Sequence, residues 1–159
     1  MPNKPPAELL KFLKPYDRAI QKLALDLRAI VIDELAPCHE NIYDAYSAVA
    51  IGYGSSERFG DGICHIAVYT SNVNLGFNQG AFLSDPGGVL QGTGKRIRHI
   101  SLKTKADLGR PQIREFLKRA LALAREDARK LGEPISMAGD SKTVISTVKA
   151  IYKKKRRPS

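Results

Sequence analysis

The stretch ICHIAVYTSNVNLGF, residues 63–77, decides the fold that the sequence predicts. Apolar residues recur at every second position on both sides of Ser71 and Asn72, and this alternation is typical of half-buried strands. Serine and asparagine together favour a tight turn. We therefore predict two antiparallel strands, over residues 63–70 and 73–77, that are joined at Ser71-Asn72.

The same period of two continues on both sides of this hairpin, from residue 41 to residue 102. Glycine, asparagine and Asp61-Gly62 interrupt it at the predicted turns. Further strands are predicted over residues 49–53 and 96–102, and a short one near residues 42–46. Strands that follow one another without intervening helices favour an antiparallel sheet. The predicted sheet has four to five strands.

The predicted strands present two different faces, because successive side chains of a strand point to opposite sides of the sheet. We expect the apolar face to meet the helices and the small, polar face to stay accessible. The apolar face carries Val49, Ile51, Tyr53, Ile66, Val68, Val73, Leu75, Phe77, Ile100 and Leu102. The polar face carries Ala48, Ala50, Gly52, His65, Ala67, Tyr69, Asn74, Gly76, His99 and Ser101.

Helices are predicted over residues 7–13, 16–36 and 111–131. The second and third show apolar residues at helical spacing, as expected of helices that pack on a core. Pro111 suits a first helical turn and Gly132 suits a helix end. The predicted fold class is therefore α+β, with two layers and the helices packed on one face of the antiparallel sheet.

Length and charge indicate one domain, over residues 1–135, and a C-terminal extension, over residues 136–159, in which residues 144–151 predict a short helix. The formal net charge is +10, with 26 basic and 16 acidic side chains. Six of the basic residues lie between Lys149 and the C-terminus, so the rest of the chain is only mildly basic. Such a run either solubilises the chain or makes weak, non-specific contacts with nucleic acid. The predicted contact residues are Lys153, Lys154, Lys155, Arg156 and Arg157.

Composition also bears on location and on metals. No run approaches the roughly 20 apolar residues that span a bilayer, and no signal-type segment begins the chain, so we expect a cytoplasmic protein without membrane contact. Cys38 and Cys64 are predicted to be reduced thiols. Each precedes a histidine, but neighbours on a strand point to opposite faces, so these pairs do not predict a zinc site.

Several motifs together resemble the YdhG-like domain family, a bacterial family of largely unknown function. The resemblance covers roughly residues 7–131. It rests on Ala36-Pro37, the strand with His65, Asn74-Leu75-Gly76-Phe77, Asp85-Pro86, Gly92-Thr93-Gly94-Lys95 and Arg98-His99. It implies two N-terminal helices, a small antiparallel sheet and a closing helix.

Some members of this family are described as frataxin-like iron chaperones, so the resemblance also implies iron carriage as an alternative function. Iron in such a role prefers oxygen ligands and a negative field. Here the candidate carboxylates Asp26, Asp33 and Glu34 stand beside Lys22 and Arg28. The sequence departs from the iron-chaperone role at this point.

The segment of about 18 residues from Asn78 to Lys95 is long for a loop in a compact domain, which favours a functional role. Its apolar residues suggest a lid over the polar face, which would give a shallow pocket lined by His65, Tyr69, Asn74 and His99; the alternative is that these four side chains simply face solvent. Gly94, Lys95 and Arg96 suggest either an anion cradle or a tight turn that enters a strand. A Walker motif is excluded, because Val89 and Arg96 stand where it needs glycine and serine or threonine.

The sequence thus predicts a non-enzymatic binding module for a small anionic ligand or a protein partner. No nucleophile with an assigned base and no paired carboxylates are visible, and no cofactor or metal site is predicted. The alternatives are iron carriage and nucleic-acid contact through the tail. The predicted ligand-binding residues are His65, Tyr69, Asn74, Gly94, Lys95, Arg96 and His99.

Overall fold

A computed structural model describes residues 3–45, 47–58 and 61–149 of the chain and shows an α+β fold. Three α-helices pack on one face of a six-stranded sheet, as the alternation predicted. The helices are α1 (Ala7–Leu13), α2 (Arg18–Leu35) and α3 (Pro111–Lys130). The strands are β1 (Cys38–Ala45), β2 (Ala48–Gly54), β3 (Gly62–Val68), β4 (Val73–Phe77), β5 (Arg98–Leu102) and β6 (Val144–Lys149).

The sheet has six strands, so the expected four to five was wrong. Its order is β5-β4-β3-β2-β1-β6, and all neighbours are antiparallel except β1 and β6. The additional strand β6 forms where a short helix was predicted. Its β-branched residues favour strand, and β1 offers an edge with unpaired backbone groups to which β6 bonds in parallel.

Strand β1 also differs from its prediction, because it begins at Cys38 rather than near residue 42. Glu40 and Asn41 lie inside it and are almost fully buried. A buried carboxylate interrupts the apolar pattern that identifies a strand, which is why the sequence predicted only the second half of β1.

The core lies between the helices and the face of the sheet that parity predicted. All ten residues predicted for the apolar face are buried in one cluster with the apolar sides of the helices. In α3, Pro111 occupies the first turn and Gly132 ends the helix with a φ of 72°. Leu131 was predicted to be buried there but is 75% exposed at the C-terminal end of the helix.

A buried ion pair connects the helix layer to three strands. The Arg28 guanidinium of α2 donates through Nε and Nη2 to the Glu40 carboxylate, at 2.6 and 3.0 Å, and the two side chains are 5% and 0% exposed. Tyr53 on β2 and Ser146 on β6 donate their hydroxyls to the same carboxylate, at 2.7 and 2.8 Å. Arg28 Nη1 donates to the Asn3 carbonyl. Every oxygen and nitrogen of the pair is therefore hydrogen-bonded, as buried charges require.

Among the described residues, no helix combines the length and the apolar character that crossing a lipid bilayer requires. The predicted nucleic-acid contacts of the tail, Lys153 to Arg157, lie outside the described residues.

Candidate functional site

The polar face of the sheet collects the three histidines of the chain. His39, His65 and His99 belong to β1, β3 and β5, and each lies on the side opposite the core. The two carboxylates within the six strands, Glu40 and Asp44, have the opposite parity. This face, which we call the histidine face, therefore carries titratable bases and no strand carboxylate.

His65 and His99 flank a glycine in one cross-strand row. The register pairs Gly52 with His65, His65 with Gly76, and Gly76 with His99. The His65 ring lies directly over Gly76, since a Cβ atom there would be 2.2 Å from His65 Nε2. Glycine at this position thus leaves room for the Nε2 end of the His65 ring over β4, on the side of His99.

A hydrogen bond determines the tautomer of His65. Nδ1 lies 2.9 Å from the side-chain oxygen of Asn78, which can only accept, so Nδ1 carries the proton. In the neutral ring, Nε2 is then an acceptor over Gly76. Burial lowers the pKa of His65, the bond to Asn78 raises it, the charge of His99 lowers it, and the net change is downward.

The lowered pKa of His65 predicts a loss of stability in acid. The pKa of this histidine in the unfolded chain is about 6.5, and in the folded chain it is lower. Between these two pKa values the unfolded chain binds a proton that the folded chain excludes. The free energy of unfolding therefore decreases as the pH is lowered through this range. The His65→Gln variant should show a shallower fall between about pH 7 and pH 5 in urea denaturation series. An unchanged pH dependence in this variant would contradict the assignment.

Polar groups surround the two histidines on the same face. The Asn72 side-chain amide donates to Asn74 Oδ1 at 2.7 Å and to Ser101 Oγ at 3.1 Å. Asn41 donates to the Ser56 carbonyl at 3.2 Å. Asn41 Oδ1 and His39 Nδ1 are buried, and neither has a hydrogen-bond partner within the described parts of the chain. Such orphaned atoms are uncommon in folded proteins and are open to a bound molecule or to water.

The structure brings only part of the predicted ligand site together. His65, Asn74 and His99 share the histidine face. Tyr69 follows the end of β3 and is exposed at the turn to β4. The predicted residues Gly94, Lys95 and Arg96 are exposed at the opposite end of the sheet, before β5. A single small ligand would therefore meet the histidines and either Tyr69 or the glycine-rich loop, but not both.

The long loop lies beside the sheet and does not form the predicted lid. Gln91 pairs with His99, so the loop extends the β5 edge. Leu83, Val89 and Leu90 pack against the core, while Phe82 is 63% exposed. The apolar residues that suggested a lid thus complete the helix side of the molecule.

Carbonyl groups in and beside the predicted anion cradle, Gly94 to Arg96, bind the side chain of Arg98. Arg98 Nη1 donates to the Gly94 and Ile97 carbonyls at 2.5 and 2.9 Å. Its guanidinium is therefore engaged within the loop. Lys95 and Arg96 are the cations that remain exposed there.

The two cysteines and the carboxylates considered for iron, Asp26, Asp33 and Glu34, do not form a second polar site. Cys38 and Cys64 are free and buried on the core side, and burial raises the pKa of Cys38 to about 12 and that of Cys64 further. Lys22 pairs with Asp26, and Arg114 with Asp33 and Glu34. Within the described ranges, no three metal-ligating side chains are grouped to hold a metal ion.

His39 and Asn41 are the members of the histidine face that sequence reasoning missed. Both alternate with Cys38 and Ile42, which are apolar, but the charged Glu40 between them breaks the pattern. Glu40 fits the core side of β1 only once a buried partner for its charge is known. Without that partner, the sequence does not indicate that His39 and Asn41 belong to a strand.

Comparisons of the chain with protein-family models, with curated proteins and with solved structures gave no match. The resemblance to the YdhG-like family therefore stays a prediction.

Proposed function

We propose that this chain is a non-enzymatic binding module that holds a small anionic ligand on its histidine face. The observation that carries the proposal is the gathering of all three histidines on a face without strand carboxylates. An anion there meets no carboxylate side chain of the strands. It also meets imidazole groups, which can donate hydrogen bonds.

The ligand would be recognised by hydrogen bonds from two directions. Protonated His65 would donate from Nε2 over Gly76, the His99 imidazole would donate from the other side of this glycine, and the side-chain amide of Asn74 would complete the contact. Because an anion favours the charged form of histidine, its binding would raise the pKa of His65 and be accompanied by proton uptake. Affinity should therefore be higher at about pH 6 than at about pH 8, and it should go on increasing as the pH falls until His65 is protonated in the free chain as well.

A comparison of thermal unfolding and calorimetric titration at about pH 6 and pH 8 tests this, with inorganic phosphate, citrate and a panel of small carboxylates and phosphate esters as probes. We expect at least one probe to bind saturably to the wild type, more tightly at the lower pH. The double variant His65→Gln/His99→Gln should bind it at least about ten-fold more weakly, since it lacks two charge-assisted hydrogen bonds.

The net positive charge of the chain makes a control for non-specific anion binding necessary. Lys118→Gln removes a positive charge on the helix side, where Lys118 pairs with Glu34, and should leave the affinity unchanged. Lys95→Ala shows separately whether the glycine-rich loop contributes. If no probe stabilises the wild type more than the double histidine variant, the proposal is wrong.

The structure does not favour iron carriage as the function. The candidate iron ligands Asp26, Asp33 and Glu34 already form ion pairs with basic side chains. Iron carriage would have to displace these ion pairs.

A further inference from the structure

A cleft of about 600 Å³ lies on the other side of the sheet, at the C-terminal half of α3. Its floor includes Ile63 and Phe77, and the segment from Glu133 to Ser136 forms a further wall. On α3, alanines face the cleft at three successive helical turns. These small residues, Ala120, Ala124 and Ala128, leave space beside the sheet that larger side chains would fill.

The charge of this cleft is opposite to that of the chain. Among the described residues, the lining includes Asp61, Asp127 and Glu133 but no lysine, arginine or histidine, although the whole chain has 26 basic and 16 acidic residues. An exposed apolar side chain, Leu131, also lies along the cleft.

The three cleft carboxylates are not neutralised by basic side chains of the described residues. In this they differ from the carboxylates that the described residues hold in ion pairs, those of Asp26, Asp33, Glu34, Glu40, Glu115 and Glu126. None of the three in the cleft is ion-paired with a described residue. Asp61 is oriented by a 2.6 Å hydrogen bond from the Ser56 hydroxyl to Oδ2, and its Oδ1 has no hydrogen-bond partner in the part of the chain that the structure describes.

We infer that this cleft is a second binding site, for a small organic cation with an apolar body, such as an aryl-alkyl primary amine. The apolar floor would hold the body, and the unpaired carboxylates would bind the ammonium group. This inference does not depend on the histidine face, which lies on the other side of the sheet and favours the opposite charge.

Tryptamine and indole-3-acetate test the inference, because they share one ring system and carry opposite charges. The chain contains no tryptophan, so indole fluorescence anisotropy reports binding without a protein background. We expect saturable binding of tryptamine, weakened by added salt, and binding of indole-3-acetate at least about ten-fold weaker. Equal binding of both probes, or no saturable binding of tryptamine, would overturn the inference.

Variants separate the contribution of shape from that of charge. Ala124→Leu fills the cleft and should abolish tryptamine binding. Asp127→Asn and Glu133→Gln should each weaken it about two- to five-fold, as expected for exposed ion pairs. Glu126→Gln is the matched control, because Glu126 pairs with Arg129 and is not among the lining residues, and it should have no effect.

The histidine-face variant makes this experiment independent of the proposed function. His65→Gln/His99→Gln should bind tryptamine as the wild type does. Retained tryptamine binding in Ala124→Leu would place the amine elsewhere and refute the cleft site.

Discussion

Replacing Arg28 by methionine should lower the free energy of unfolding by about 3–5 kcal/mol, which is the cost of leaving a buried partner charge uncompensated. The Glu40 carboxylate would keep its hydrogen bonds from Tyr53 and Ser146 but lose both bonds from the guanidinium. Urea denaturation at neutral pH, monitored by far-ultraviolet circular dichroism, measures the change.

The double variant Arg28→Met/Glu40→Gln tests whether the loss of stability comes from the unpaired Glu40 charge. It removes both charges of the pair. The glutamine oxygen can accept from one of the two hydroxyls and its NH2 group can donate to the other, so most of the lost stability should return. Arg114→Met is the matched control, because Arg114 makes ion pairs with Asp33 and Glu34 at the surface, and its loss should cost less than about 1 kcal/mol. If Arg28→Met costs no more than this control, the buried pair does not contribute as described.

Replacing Phe116 by alanine should cost a similar amount, about 3–5 kcal/mol, through lost burial and the cavity that remains. Phe116 is 2% exposed and packs against Phe77, with ring centroids 6.0 Å apart. The Arg119 guanidinium lies 4.8 Å from the Phe116 centroid and covers its outer side. Urea denaturation again provides the measurement.

The same substitution on the long loop is the control for Phe116. Phe82 is 63% exposed, so Phe82→Ala should change the free energy of unfolding by less than about 0.5 kcal/mol. A loss below about 1 kcal/mol in Phe116→Ala would mean that the contact between α3 and the sheet is not as tight as the structure shows.

The strands and their core side could be predicted wherever the alternation of neighbouring residues shows which side faces water. In β3 and β4, the alternation of large apolar residues with small or polar ones identified both the strands and their core side, and the structure buries that side. The ends of α3 were predictable for a similar reason, because Pro111 and Gly132 act through their own backbone geometry. The histidine face could therefore be predicted at His65 and His99.

Features that depend on distant partners were not predictable. Glu40 reads as a solvent-exposed residue until Arg28, on a different element, is placed beside it. The strand β6 acquires its conformation by pairing with β1, about a hundred residues earlier in the chain. The sequence contains both partners but gives no signal that they meet.

The position of the long loop shows the same limit. Its apolar residues correctly indicated that the loop packs on another part of the molecule. The sequence did not show whether that part is the core beneath α3 or the polar face of the sheet. The structure places Leu83, Val89 and Leu90 against the core, because apolar side chains gain more by joining a large apolar cluster than by covering amides and imidazoles. Only the assembled layers decide which surface is within reach.

The sequence by itself determined the fold class, the core side of the central strands and two histidines of the accessible face, because periodicity and backbone preference act between neighbours. The tertiary structure alone decided the sixth strand, the buried ion pair, the third histidine of that face and the carboxylate-lined cleft. Each of these arises from residues far apart in the chain, whose meeting depends on how the helix layer and the sheet pack together.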